Sequence, residues 1–263
     1  MNSALLLPMV AVAAAVGAAM NAVAGGGTLI TFPALIALGV PPVTANATST
    51  VALWPGTMTS MWGYRGELKG ARSWAIAFAI PSLVGGVAGA LLLLVTPEQR
   101  FAAIVPWLIL GATALFVAQA PLMRMIVAVA GASRPITRAD GTLAAPAPAF
   151  LLYQLLVGVY GGYFGAGAGI LMLASLGMMG LTNIHQMNGL KNWGGGVMNL
   201  VAVLIFAVSG VVDWPIAVAM AVGATLGGVG GSLMAQRVGQ RWVRRAIVAI
   251  GLGSGLAMLF GLI

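Results

Sequence analysis

Cysteine is absent from this 263-residue chain, so disulfides, thiolate metal sites and cysteine nucleophiles are excluded. Charge is nearly as scarce. Charged residues make up 6% of the chain, against about 25% in a soluble globular domain. Only four are acidic (Glu67, Glu98, Asp140 and Asp213), and His185 is the single histidine. No closely spaced carboxylate pair is available for acid–base work, which argues against an intramembrane enzyme. Copper transport would want clustered sulfur ligands, and Met178-Met179 alone is too little. Neither a metal nor a cofactor is expected. A Walker phosphate loop is also missing, so any transport would draw on a proton, ion or counter-anion gradient. The first residues lack the basic start of a cleaved signal peptide, so Met1 to Met20 is expected to stay as part of the first membrane element.

What the chain has in abundance is apolar sequence: 60% hydrophobic residues and a mean hydropathy of +1.04. Apolar segments fall at about 4–23, 27–40, 47–63, 73–95, 101–119, 149–164, 169–181, 193–211, 214–235 and 243–262. Several approach the roughly 20 residues that a helix needs to cross a hydrocarbon core of about 30 Å. The polar–apolar alternation of a membrane β-barrel is absent. The chain therefore reads as an all-α polytopic membrane protein. Its net charge of +8 comes from basic residues flanking apolar segments, the signature of membrane orientation and not of nucleic-acid binding.

Two glycine clusters interrupt long apolar runs: Ala24-Gly25-Gly26-Gly27-Thr28 and Ala166-Gly167-Ala168-Gly169-Ile170. Glycine costs a helix roughly 1 kcal/mol, so such clusters read as deliberate breaks. Shifting the chain by 142 residues superimposes Gly25 on Gly167, Gly27 on Gly169 and Asn46 on Asn188. The same shift brings Gly85-Gly86-Val87 onto Gly227-Gly228-Val229 and Leu110-Gly111 onto Leu252-Gly253. A tandem duplication follows: a first repeat at 1–119, a cytoplasmic linker at 120–148 and a second repeat at 149–263.

Charge orients the halves. If each broken segment crosses once, six basic residues face five and no side is preferred. If each is a hairpin returning to its starting face, the second half is inverted. One side then collects ten of the twelve basic residues, leaving only Arg100 opposite and Lys191 unassigned. The positive-inside rule selects the second scheme. Each inverted repeat is then a glycine-broken re-entrant hairpin plus three transmembrane helices. Linker and basic loops are cytoplasmic, and both termini lie outside. Breaks at membrane depth are tolerated where protein buries them or a water-filled cavity solvates them, so a cavity is expected there.

Paired interruptions in two halves are the sequence pointer to a transporter's substrate site. The helices starting near Thr28 and Ile170 would present unpaired N–H groups and about half a positive charge, which suits an anion. Gly25, Gly26, Gly27 and Thr28, with Gly167 and Gly169, are the candidate site backbone. Their alternative role is close helix packing, the reading preferred for Gly85, Gly86, Gly89, Gly227, Gly228 and Gly231. Downstream polar patches add Asn46 and Ser49, then Asn188, Lys191 and Asn192; residues three apart share a helix face. Lys191 is followed by twenty residues without charge and could neutralise a bound anion; its alternative is to snorkel from a helix end. His185 is a candidate proton relay or gate, or simply a helix-cap or interface residue. Trp62, Trp74, Trp214 and Trp242 lie at segment ends and read as interfacial anchors. Trp54 and Trp193 follow the polar patches and suit either a cavity wall or packing. Glu98 and Asp213 read as external loop residues.

These residues resemble the sulfite exporter TauE/SafE family of membrane permeases. The likeness rests on Asn21-Ala22-Val23-Ala24-Gly25-Gly26-Gly27-Thr28, Pro33-Ala34-Leu35 and Ala45-Asn46-Ala47-Thr48-Ser49. In the second half it rests on Gly158 to Gly169 with Asn188 and Lys191, and it covers nearly the whole chain. The resemblance implies two related halves and secondary transport of a small sulfur-containing anion such as sulfite, a sulfonate or sulfoacetate. The expected partners are that anion and the lipid bilayer of the cytoplasmic membrane. An oligomer is compatible with the sequence, and a passive anion channel using the same site is the alternative function.

Overall fold

The computed structural model describes residues 3–23, 26–68, 71–130, 146–181, 183–234 and 240–262. Among the described residues the chain is helical, without strands. The first half contains α1 (Ser3–Val23), α2 (Thr28–Ala37), α3 (Pro42–Gly63), a 3-10 turn at Arg65–Leu68, α4 (Arg72–Val95) and α5 (Glu98–Ala130). The second contains α6 (Pro148–Tyr163), α7 (Ala168–Met178), α8 (Ile184–Ser209), α9 (Trp214–Met234) and α10 (Gln240–Leu259). Arg72–Val95, Glu98–Ala118 and Ile184–Ser209 are long and apolar enough to cross a bilayer. By contrast α2 and α7 rise only about 15 and 17 Å, half a membrane each.

Local chemistry sets the boundaries. Pro42 opens α3 at a position where its missing N–H costs nothing. Asn183 caps α8 by accepting from the backbone N–H groups of His185 and Gln186, and Gly210 ends that helix in the left-handed region. Asp213 caps α9 through Ile216 N at 3.1 Å, and Glu98, the first residue of α5, accepts from Val43 N at 3.0 Å and so caps α3. Both acidic residues are therefore helix-cap groups and not free loop residues. Helices α3 and α8 begin at 42 and 184, well before the apolar segments read at 47 and 193. The polar patches are thus helical. Helix α5 runs to Ala130, past position 119; residues 131–145 of the linker, with Arg134, Arg138 and Asp140, lie outside the described residues.

Apolar side chains four apart form exposed stripes: Ile76 and Ile80 on α4, Leu152 and Leu156 on α6, Leu200, Leu204 and Val208 on α8, Val218 and Val222 on α9. Outward apolar stripes of this kind are what a lipid-facing surface requires. Inside, α1 packs on α9 and α4 on α6, while α3 meets α9 and α4 meets α8. Close approach comes through glycine. A methyl on Gly86 would sit 2.6 Å from the Met198 carbonyl, and one on Gly228 would strike the Gly56 carbonyl. Gly85, Gly89 and Gly227 likewise face neighbouring backbone, as expected of packing positions; the surroundings of Gly231 are not described.

Helices α3, α4 and α5 begin at 42, 72 and 98, and α8, α9 and α10 begin 142 residues later at 184, 214 and 240. Two such counterpart pairs contact each other and run antiparallel. On α3 and α8, Trp54 meets Gly196 while Tyr64 approaches Gly189. On α5 and α10, Thr113 meets Gly251 while Ile109 meets Gly255.

One expected anchor is wrong. Trp74 is fully buried against Phe150, 5.6 Å between ring centroids, because the start of α4 packs under α6. Trp62 and Trp214 are exposed as anchors would be; Trp242 lies among side chains not described.

Candidate functional site

Both breaks are the tips of antiparallel hairpins. Gly17, six residues before the end of α1, lies against Gly27 and Thr31. In the second half Tyr160 Oη donates to Ala166 O, and Tyr153, about two turns further back, donates to Leu171 O. Earlier residues of one arm thus meet later residues of the other. The two tips are built differently. Gly27 keeps right-handed dihedrals and is required by space: a methyl there would lie 2.6 Å from the Gly17 carbonyl. Gly167 caps α7 at φ +79°, a left-handed conformation that glycine adopts without strain. A methyl on Gly26 would meet only ordinary contacts at 3.6 Å.

The tips converge on one stretch of α5. Gly26 faces Phe116 and Gly167 faces Ala112, four residues apart or about 6 Å along the helix. Around them Phe32 of α2 stacks edge-on to Phe164 of the second break, at 5.4 Å.

Each half also reaches across to the other's broken helix. Lys191 Nζ on α8 donates to Asn21 O at 3.0 Å and Ala22 O at 3.3 Å, in the last turn of α1. Asn46 Nδ2 on α3 donates to Tyr163 O at 2.8 Å, the last residue of α6. Asn21 and Tyr163 are 142 residues apart. The terminal carbonyls of a helix lack intrahelical partners and carry its partial negative charge, so a buried donor there is favourable. Lys191 is only 3% exposed and points inward; it does not snorkel. Ser49 is bound to Thr31 Oγ1 at 2.6 Å, which ties α3 to α2.

Among the described residues, four buried side-chain atoms have no partner: Asn46 Oδ1, Gln154 Oε1, Asn188 Oδ1 and Asn192 Nδ2. Asn46, Asn188 and Asn192 are at most 6% exposed. Buried polar atoms are nearly always bonded to protein, water or ligand, so each unpaired atom marks a place where water or a ligand belongs. Asn188, Lys191 and Asn192 share one face of α8. Asn46 does not join them. It lies eight residues before Trp54, and Asn188 eight before Gly196, the contact at which antiparallel α3 and α8 meet. That places the two asparagines about 12 Å to either side of the crossing.

The sulfite exporter TauE/SafE pattern matches residues 9–258 of the chain. The chain belongs to this family. It is similar to the probable membrane transporter protein ORF9 of Sinorhizobium sp, 27% identical over 259 residues, covering 97% of this chain and 92% of the relative. It is equally similar to the probable membrane transporter protein YfcA of Escherichia coli (strain K12), 27% identical over 99% of this chain and 92% of the relative. A probable membrane transporter protein of Haemophilus influenzae is 28% identical over 87% of this chain and 85% of its own length. No solved structure matches significantly. These names indicate a membrane transporter and not an enzyme.

Within this TauE/SafE chain the remaining candidates are dispersed. Gly25 lies outside the described residues. Thr28 is half-buried at the start of α2, and Gly169 is the second residue of α7. His185 is exposed in the first turn of α8, two turns from Lys191, and does not line the buried cluster. Trp54 and Trp193 spend their indole N–H groups on Gly196 O and Ala75 O across helix contacts. Sequence reasoning missed the partners: Asn21 O, Ala22 O, Tyr163 O, Thr31, and the buried pair Gln154–Ser82 at 2.9 Å. Thr31 and Gln154 were findable as lone polar residues in apolar runs. The carbonyl acceptors carry no sequence signal.

Proposed function

We propose that this protein is a secondary transporter that moves a small sulfur-containing anion by alternating access between two inverted halves. The single observation that carries the reading is the meeting of two half-membrane helices, N-termini inward, over Phe116 and Ala112 of α5, with Lys191 buried beside the first tip. Helix N-termini offer amide donors and partial positive charge to an anion without burying a full cation for each contact. Lys191 carries three N–H donors, of which two are taken by Asn21 O and Ala22 O, leaving one to face a ligand. Sulfite is the substrate suggested by the family description.

Inversion is supported by the 142-residue spacing of helix starts and by the antiparallel contacts of α3 with α8 and α5 with α10. Counterparts related by an axis in the membrane plane must run in opposite directions across the bilayer. Exposed Arg65, Arg72 and Arg124 then face the cytoplasm with the linker, in a cytoplasmic membrane. Rocking of one half against the other would break and remake the two crossed contacts, Lys191 on α1 and Asn46 on α6. Counterflow in proteoliposomes tests the reading: unlabelled sulfite inside should accelerate uptake of labelled sulfite. Uptake that ignores the internal anion would make the protein a passive pore.

A further inference from the structure

The two halves treat equivalent places differently. The 142-residue shift lays Asn21 on Tyr163, Ala22 on Phe164, Asn46 on Asn188 and Ser49 on Lys191. At the end of α1 a monovalent cation, the Lys191 ammonium, meets the carbonyls of Asn21 and Ala22. At the end of α6 the corresponding side chain is Ser49, whose hydroxyl is bound to Thr31 instead. Tyr163 O there takes its hydrogen bond from the neutral amide of Asn46.

The end of α6 is rich in oxygen acceptors. Phe164 N and Gly165 N both donate to Tyr160 O, so the orphan carbonyls of Gly161 and Gly162 gain no cap bond from them. Asn46 is 1% exposed, and its amide orientation is fixed because Nδ2 must be the atom that donates to a carbonyl. The atom left without a partner is therefore the acceptor, Oδ1. Amide geometry keeps it within about 5 Å of Tyr163 O, which retains a second lone pair. Oxygen ligands sit about 2.3–2.6 Å from calcium, a cation of sodium's size, so two ligands of one ion lie up to about 5 Å apart. Two of the chain's four carboxylates flank this stretch of α3: Glu98 binds Val43 N, and Asp213 N is held by Thr48 Oγ1. Both favour positive charge beside Asn46, as does the negative end of the α6 dipole.

We propose that the last turn of α6, closed by Asn46 of α3, binds an alkali cation of sodium's size in the place that Lys191 fills with its ammonium on α1. Asn46 Oδ1 and Tyr163 O are ligands, with a further carbonyl of the last turn. Neutral oxygen ligands suit a hard monovalent ion, and C-terminal ends of broken helices are where transporters coordinate coupling ions. That the ion couples to anion movement rests on the transporter reading above; the binding site does not.

The test melts the full-length protein in detergent at fixed ionic strength while sodium chloride replaces choline chloride. Sodium should raise the melting temperature saturably, by about 3–10 °C. Asn46→Leu should lose this shift, whereas Asn46→Asp, which keeps an acceptor and adds charge, should enlarge it. Ser49→Lys places an ammonium where Lys191 has its own and should also abolish the shift. No sodium shift in the wild type overturns the proposal, as does a shift that survives both Asn46→Leu and Ser49→Lys. Where a variant fails to fold, the wild type and the remaining variants decide. In proteoliposomes sodium should raise sulfite affinity about 5- to 150-fold, the usual range of coupling between two sites. A sodium shift with sodium-independent sulfite counterflow overturns the coupling role. A sodium shift without any sulfite counterflow overturns the transporter reading and leaves the cation site standing.

Discussion

Replacing Lys191 by methionine keeps most of the side chain's length and apolar stem while deleting the ammonium. Two carbonyls, Asn21 O and Ala22 O, then lose their donor. Leaving a buried acceptor unpaired costs about 1–3 kcal/mol. Against this, an ammonium buried with no carboxylate partner among the described residues carries a desolvation penalty of several kcal/mol, which the variant relieves. The two effects nearly offset, so Lys191→Met should melt within about 5 °C of wild type. Anion binding has no such compensation. Loss of one charge-assisted hydrogen bond, worth about 1.5–3 kcal/mol, predicts about 10- to 150-fold weaker sulfite affinity. The assay is initial counterflow rate at sulfite concentrations below half-saturation, beside a melt of the same detergent preparation. Lys191→Gln should restore a neutral donor to the α1 carbonyls without restoring flux. Wild-type affinity in both variants would refute the reasoning, and a flux loss that tracks unfolding would reduce Lys191 to a structural role.

Other perturbations probe the frame around the site. Gly86→Ala and Gly228→Ala occupy counterpart positions against the other half's backbone and should each destabilise by about 1–3 kcal/mol, read as melting temperature in detergent. Gly27→Ala should abolish flux because Gly17 O leaves no room, while Gly26→Ala should keep it; the same proteoliposome assay reports both. Asn183→Ala removes a cap accepting two N–H bonds from α8 and should cost about 1 kcal/mol, visible as a melting shift of a few degrees. Arg124→Cys and Arg241→Cys should label from one face of the membrane; labelling from opposite faces would eliminate the inverted arrangement.

The helices were legible because apolar length is a strong signal, and the breaks because glycine clusters are rare inside such runs. The starts of α3 and α8 were misplaced by several residues, since polar residues at Thr44 to Thr50 and Asn183 to Asn192 dilute the apolar pattern. The proper start signals, Pro42 and Asn183, were local caps. Trp74 was misread because a tryptophan at a segment end has two fates, lipid headgroup or neighbouring helix, and only packing against Phe150 decides. The 142-residue register was visible as matched residues, but the direction of each half emerged from charge alone. The site was harder. Asn46 and Asn188 superimpose in sequence, yet antiparallel packing at Trp54 and Gly196 carries them to opposite sides of the crossing. Lys191 was identifiable as a candidate buried cation, but its acceptors lie 170 and 169 residues away on carbonyls that carry no sequence signal.

The central claim is a carrier with two inverted halves working on one anion. Counterflow of labelled sulfite into proteoliposomes preloaded with unlabelled sulfite tests it most directly. Uptake should be accelerated by the internal anion and weakened about 10- to 150-fold in apparent affinity by Lys191→Met. Uptake unaffected by preloading, or undiminished by the substitution, would contradict it.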